Sequence, residues 1–600
     1  MRWLMAVREK KGDWGTGFRA ASCTIKAPAC WQERIAALVA AAGHRPASDG
    51  RYALVAAEAP ELPPESYRIR FVPAEGRGTL AIAASDARGA AYAARTAAEL
   101  MGAEPGGEVT IEDGPAFAVR GVVEGFYGRP WSHAERLDAL AFMGGHRLNT
   151  YMYAPKDDAY HRRLWRIPYG RAAMGRFRAL AGAAARHGVD FGVAISPGLS
   201  LRYSDEGDYR LLLAKYRQFT ALGLRVLGLY LDDIPGRLVH EADRDRFGTL
   251  ARAQAALANR LRSDLAREIP RLCLVFCPTE YCGQGGSAYL RELGELLDPS
   301  IEVHWTGNRV CARRITRAEA QRVGEVLRRP PLYWDNYPVN DYFMVTELHL
   351  GPYRGRAADL AGAARGVLAN PMNQALASRP ALASMARYLW RPECYDPREA
   401  ALEAYADLVP EPARAAFAHF AAANAPGPFR APAVPRQSLA LARRQEARED
   451  RDGARRTWAA EAHRLASSAA ALRAHLPAPL KREIGPWLDE YRGWAVLAAV
   501  GLFAEAGFHK VQGAKGKGEK LAAYLRLERD LARLRRGLSA SARWRTGVCG
   551  REIHAHLVDQ AQRLEGVLRV MSPFPAVLRP LLRFCGRFVT GRRAFPPPGP

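Results

Sequence analysis

Residues 226–234 read VLGLYLDDI, a run of apolar side chains that ends abruptly in two adjacent carboxylates, Asp232 and Asp233, with Pro235 just beyond. A short apolar stretch of this length without alternation fits a strand covered on both faces, as in a parallel sheet. Seven other segments share its grammar of apolar strand followed by polar or glycine-rich end: VRGVVEGFYG (119–128), RLNTYMYAPK (147–156), DFGVAISPG (190–198), CLVFCPTEY (273–281), IEVHWTG (301–307), PLYWDNYPV (331–339) and GVLANP (366–371). Each is followed by a segment able to form an amphipathic helix. Eight such units over roughly 260 residues match a (β/α)8 barrel, which takes about 250.

The fold expected is therefore α/β, a (β/α)8 TIM barrel preceded by a small α/β domain and followed by a helical bundle. The boundaries expected are 1–116 for the small domain, 117–380 for the catalytic barrel and 381–600 for a basic helical region. Before the barrel, the runs YALVAA, YRIRF and TLAIAA and the Ala-rich ARGAAYAARTAAELMG suggest strands and a helix, with no titratable cluster and hence a packing or spacer role. After Pro380 the spacing of Ala, Leu and Arg is helical, with breaks near Pro410, Pro426–Pro435 and Pro477–Pro479; VQGAKGKGEK from Val511 reads as an exposed basic loop and the terminal FPPPGP as disordered.

At 600 residues the chain exceeds one hydrophobic core, while 48% hydrophobic and 25% charged residues are ordinary globular values. The net charge is +25, and the last 200 positions hold 33 basic against 18 acidic residues. An Arg-rich solvated helical surface accounts for this excess, and no nucleic-acid-binding motif accompanies it. Nine cysteines show neither a CxxC pair nor zinc-site spacing, so reduced thiols and no metal or other cofactor are expected. The first sixteen residues lack the apolar core of an export signal, and no run approaches the ~18 apolar residues that cross a bilayer. A cytoplasmic protein is expected, with no membrane partner and secretion as the alternative. Oligomeric state is open.

In a TIM barrel the strand C-termini form the functional face, so Glu124, Lys156, Asp232, Asp233, Tyr281, Asn336 and Asn370 should meet at one mouth. Two carboxylates forced together repel, so one of the aspartates should have a raised pKa and act as a general acid. An acidic doublet alone is more often a solvated loop or a helix cap.

The stretches RGVVEGFYGRPW (120–131), LNTYMYAPKDD (148–158), ISPGL (195–199), LDDI (231–234), FCPTEYCG (276–283), WTG (305–307), WDNYPVNDY (334–342) and ANP (369–371) together resemble glycoside hydrolase family 84. The resemblance implies a retaining β-N-acetylglucosaminidase that acts on terminal β-linked GlcNAc of a glycan or glycoprotein, O-GlcNAc on proteins included. Adjacent aspartates cannot easily straddle a sugar as the usual acid and nucleophile do, and suit attack by the substrate's own acetamido oxygen. By resemblance, Asp232 polarises the acetamido group and Asp233 is the general acid/base. Gly125 and Lys156 are similar to sugar-hydroxyl contacts, Tyr281 to the phenol beside the acetamido group and Trp334 to the wall of the methyl pocket. Asn336, Asp341 and Asn370 supply the remaining polar contacts, Asp341 towards O4 and O6. Glu124, Asp157 and Asp158 are read as structural, anchoring loops or pairing with Arg129, Arg162 or Arg166, and Cys277 and Cys282 as packing. The alternatives are a glycan or peptidoglycan-fragment hexosaminidase and an inert sugar-binding or basic scaffold protein.

Overall fold

A computed structural model describes residues 9–11, 20–424 and 434–571, apart from positions 76, 105, 449, 545, 547 and 549. Eight parallel strands close into a barrel: Val119–Glu124, Thr150–Tyr153, Asp190–Ile195, Val226–Tyr230, Cys273–Cys277, Glu302–Trp305, Leu332–Asp335 and Gly366–Ala369, numbered one to eight below. Each lies within a segment expected from its apolar run. Closure is made by Gly366–Ala369 pairing with Val119–Val122. The interior is filled by Val123, Met152, Ala194, Tyr230, Val275, Leu332, Trp334 and Leu368, a packed core with its chemistry at the strand ends.

Helices follow six of the first seven strands, among them His133–Gly145 and Arg317–Leu327, both opened by capping boxes at Ser132 and Thr316. The seventh unit departs from expectation. Strand seven is followed by two single-turn 3-10 segments, Tyr342–Met344 and Leu360–Gly362, and no α-helix. Prolines 338 and 352 and glycines 351 and 355 interrupt helical pairing there. Side chains hold the loop instead: Tyr353 Oη donates to buried Asp335 at 2.5 Å, and Arg356 forms an ion pair with the same carboxylate.

The small domain is a seven-stranded mixed sheet ordered Glu9–Lys11, Val109–Asp113, Tyr67–Ala74, Arg77–Ala84, Tyr52–Glu58, Ser22–Lys26, Arg45–Pro46, with helices Ala29–Ala41 and Ala87–Ala103. It thus begins well before the run at Tyr52 that announces it in the sequence. It also carries a buried titratable cluster, contrary to expectation. Arg120 of strand one bonds Glu65 at 2.5 Å, and Arg147 bonds Asp113 at 2.9 Å, with its guanidinium 4.4 Å from the centroid of the Trp390 ring. Tyr67 and Thr96 supply further hydrogen bonds, so the sheet is fastened to the base of strands one and two by paired charges.

The chain divides into two compact units. The first runs to Leu408 and includes the helices Ala375–Trp390 and Pro397–Leu408; the second holds Thr346–Leu348 and everything from Val409. The second unit is helical, with Glu411–Ala423, Val434–Ala447, Arg451–His475, Gly485–Gly513, Lys517–Ser541 and Gly550–Met571 as its longer elements. Glu461 is buried there between His419 at 3.0 Å and Ser438 at 2.9 Å. The segment from Val511 is not a loop: helix continues to Gly513 and resumes at Lys517. The helix Gly485–Gly513 is long and apolar enough to cross a membrane, which the count of consecutive apolar residues does not reveal. Its side chains Trp487, Tyr491, Trp494, Ala498 and Ala504 are buried among the neighbouring helices. The first eight residues and the FPPPGP tail lie outside the described residues.

Candidate active site

Asp232 and Asp233 leave the barrel immediately after strand four, and their environments differ sharply. Asp232 is only 5% exposed. Its Oδ2 accepts a hydrogen bond from the ammonium of Lys156, which reaches it from beyond strand two. Its Oδ1 is buried and has no hydrogen-bond partner. A buried carboxylate oxygen left without a donor costs on the order of 1–3 kcal/mol, more when charged, so it marks a position suited to an incoming N–H.

At Asp233 the backbone enters the left-handed region, with φ 52°, a conformation that costs a non-glycine residue roughly 1–2 kcal/mol. This turn brings to one lysine two carboxylates that an extended chain would send to opposite faces. Asp233 Oδ2 accepts from Tyr127 Oη at 2.7 Å, and Oδ1 accepts from Tyr281 Oη at 2.8 Å. Lys156 Nζ is 3.8 Å away. Arg162 braces the arrangement, donating to Tyr127 Oη at 2.9 Å and to the Asp233 carbonyl at 3.1 Å.

Burial pushes the Asp233 carboxyl up, but the Lys156 charge and the two phenol hydrogen bonds outweigh it and hold the group below the ordinary carboxylate range. The raised pKa expected of the doublet is therefore not found on Asp233 in the free site. Mutual repulsion is offset because a buried cation sits between the two acids. The carboxyl that burial does raise is Asp341, against the hydrogen bond its Oδ2 accepts from Tyr127 N at 2.8 Å. Burial also drives the Tyr281 phenol up, and it stays a donor.

The other residues named from the sequence join the same surface. Trp334 lies at the end of strand seven, with its ring centroid 5.7 Å from Lys156 Nζ. Its indole N–H donates to Asn336 Oδ1 at 3.1 Å, which also accepts from Asn370 Nδ2 at 3.0 Å. Asn370 Oδ1 in turn accepts from Gly125 N at 3.2 Å, and Asn336 Nδ2 is held by the Val310 carbonyl. Gly125 has a steric reason to be glycine: a Cβ there would lie 2.2 Å from the Trp334 ring. All nine residues are linked by contacts into one mouth.

Glu124 is at a strand end but not in that mouth. It is fully buried, bound by Arg136 at 2.8 Å and by Tyr151 at 2.5 Å. Asp157 accepts from Gly128 N and Asp158 from Tyr153 and Tyr169, so these acids tie loops down, the first of the two structural roles expected of them. Cys277 is buried with its thiol pushed well up, as packing requires. Tyr127 and Arg162 are the contributors that the residue-level reading did not single out. Tyr127 stands inside the RGVVEGFYGRPW stretch, but nothing in a sequence distinguishes a phenol aimed at a carboxylate from one in a core. Among the described residues no group of three or more His, Cys, Asp or Glu side chains is placed to hold a metal ion.

The sequence profile of the β-N-acetylglucosaminidase family matches residues 120–422. Rat and mouse proteins named Protein O-GlcNAcase (Rattus norvegicus, Mus musculus) are each 40% identical over 257 residues, 42% of this chain; the match spans 28% of the length of these curated relatives. Among solved structures, a mutant of the Thermobaculum terrenum O-GlcNAc hydrolase superposes with a TM-score of 0.71 at 34% identity, over 76% of this chain and 97% of that one. The structure of CpGH84B superposes at 0.77 over 92% and 99%, with 23% identity, a likeness of fold. With the profile covering half of the chain and a relative of this identity covered almost end to end, the chain belongs to the β-N-acetylglucosaminidase family, glycoside hydrolase family 84.

Proposed function

We propose that the chain is a retaining β-N-acetylglucosaminidase that hydrolyses terminal β-linked GlcNAc, O-GlcNAc on proteins included, by substrate-assisted catalysis. The observation that carries the reading is the unpartnered, buried Oδ1 of Asp232 beside a second carboxylate with a different environment. An acetamido N–H donating to that oxygen is oriented so that its carbonyl oxygen attacks C1 from within the substrate. The bond from C1 to the leaving oxygen breaks as Asp233 delivers a proton to that oxygen, and an oxazolinium ion forms whose N–H stays hydrogen-bonded to Asp232, the carboxylate offsetting its charge. Asp233 then takes a proton from water as the water oxygen attacks C1 and reopens the ring, with net retention. In the free site Asp233 is held ionised, so it takes up its proton with the sugar in place, where lost water adds to the burial that already works to raise it.

In this reading Tyr281 donates a hydrogen bond at the acetamido group, and Trp334 supplies the apolar wall for its methyl. Gly125, Lys156, Asn336 and Asn370 meet sugar hydroxyls, and Asp341 accepts from O4 and O6. The names of the rat, mouse and Thermobaculum proteins support GlcNAc on proteins as the substrate. The same proposal includes 1–116, 117–380 and 381–600 as small domain, barrel and helical region, and a cytoplasmic setting, with which the free thiols of Cys23, Cys30, Cys273, Cys277, Cys282 and Cys394 agree. Release of phenol from an aryl β-N-acetylglucosaminide by the purified protein is the test. Folded protein without turnover removes the reading.

A further inference from the structure

Under the function proposed above, on which this inference rests, the phenolic proton of Tyr281 serves the acetamido group. In the free site that proton is donated to Asp233 Oδ1 at 2.8 Å, and the hydroxyl has no other partner among the described residues. A phenol carries one O–H and cannot direct it at two acceptors. Sugar binding therefore turns the Tyr281 donor away from Oδ1. Burial pushes the Asp233 carboxyl up, while Lys156 and the phenols of Tyr127 and Tyr281 hold it down. Removing one of those donors lets the carboxyl rise when an acid is needed.

The other carboxylate oxygen is not released in this way. Tyr127 Oη donates to Asp233 Oδ2 at 2.7 Å and accepts from Arg162 Nη1 at 2.9 Å. A guanidinium has donors and no acceptor, so its approach leaves the phenol one direction for its own proton, towards Asp233. Arg162 Nη2 donates to the Asp233 carbonyl at 3.1 Å, which ties the guanidinium to the residue it serves. The charges of Arg162 and Lys156 lie 5.8 and 6.0 Å from the Tyr127 ring centroid and strengthen the phenol as a donor. A proton on Oδ2 would aim two donors at Tyr127 Oη and leave the phenol's own proton without an acceptor. The other titratable groups around Asp233 are bonded elsewhere: Asp232 to Lys156, Asp341 to the Tyr127 backbone and Cys277 to the Pro278 carbonyl.

We propose that Arg162 is a positioning residue: by donating to Tyr127 it fixes that phenol's proton on Asp233 Oδ2, so that the acid carries its proton on Oδ1, the oxygen Tyr281 uncovers as it turns to the acetamido group. The proton is taken up from solvent onto Oδ1 and passes from there to the leaving oxygen. Oδ2 remains an acceptor throughout.

The test is the pH dependence of kcat and kcat/KM on phenyl β-N-acetylglucosaminide, for the full-length wild type and the Y281F, R162M, Y127F and R162M/Y127F variants. The alkaline limb of kcat/KM reports the free enzyme and that of kcat the complex. In the wild type the kcat limb should lie about one unit or more above the kcat/KM limb, and Tyr281→Phe should raise the kcat/KM limb and at least halve the gap. Arg162→Met should raise the kcat/KM limb by about half a unit and lower kcat about 10-fold on the phenyl glycoside, against less than about 2-fold on a dinitrophenyl glycoside. With Tyr127 already Phe, Arg162→Met should move the limb by less than about 0.2 unit, because the arginine acts through the phenol. A gap that Tyr281→Phe leaves unchanged, or a limb shift from Arg162→Met that is the same with and without the Tyr127 hydroxyl, would overturn this proposal alone. Folded wild type that turns over neither glycoside would overturn the functional reading beneath it as well.

Discussion

At the scale of single residues, the two aspartates differ in what each substitution should do. Asp232→Asn replaces the acceptor oxygen and removes the charge paired with Lys156, so turnover should fall by about 10²-fold or more whatever the leaving group. Asp233→Asn should lose about 10²- to 10⁴-fold on alkyl glycosides and far less on a nitrophenyl glycoside, whose departure requires little protonation. Equal losses across a leaving-group series would exchange or dissolve the roles. Tyr127→Phe removes a hydrogen bond that favours ionised Asp233. Its pKa should rise, and the alkaline limb of kcat/KM, which requires the protonated acid, should move to higher pH by about one unit or less. A limb that stays in place would mean that Tyr127 does not tune the acid. This coupling was not legible in the sequence, because a Tyr 106 positions from Asp233 gives no local sign of meeting it.

At the scale of elements, the attachment of the small sheet to the barrel depends on two buried ion pairs and a ring of aromatic contacts. Arg147 and Asp113 have fully buried side chains, so Arg147→Met leaves a carboxylate without its counter-charge. Such breaks cost about 3–5 kcal/mol, and denaturant unfolding of the variant should show a loss of that order. A loss below about 1 kcal/mol would mean that the sheet is held by its apolar packing alone. The sequence did not reveal this cluster because Glu65, Asp113, Arg120 and Arg147 are far apart in the chain and each looks like a surface charge. The barrel strands were legible, since burial on both faces demands continuous apolar runs and those runs can be read directly. The missing seventh helix was less so: segment 336–365 has enough Ala and Leu to suggest one, and the ties of Tyr353 and Arg356 to Asp335 are tertiary.

At the scale of the whole molecule, a net charge of +25 predicts weak association with any polyanion, driven by counterion release and not by sequence. Duplex DNA should be retained at low salt, released by about 0.2 M salt, and bound without sequence preference. Retention at that salt would point to a dedicated site. The mechanism routes no step through a metal, so chelator treatment should leave kcat unchanged; a loss restored by a divalent cation would require a different chemistry.

The sequence by itself determined the eight strands, the strand-end location of Asp232 and Asp233 and most of the residues that meet at the mouth, but it placed Glu124 there and passed over Tyr127 and Arg162. Buried strands have only one way to satisfy their apolar runs, and their ends must then converge. Tertiary structure alone decided the electrostatics of the pair. A lysine 76 positions upstream of Asp232 lies between the two acids, and two phenols from other strands grip Asp233, so the repulsion read from adjacency gives way to a carboxyl held low. The repulsion between neighbouring charges follows from the sequence, but the distances to the partners that offset it are set only when the barrel closes.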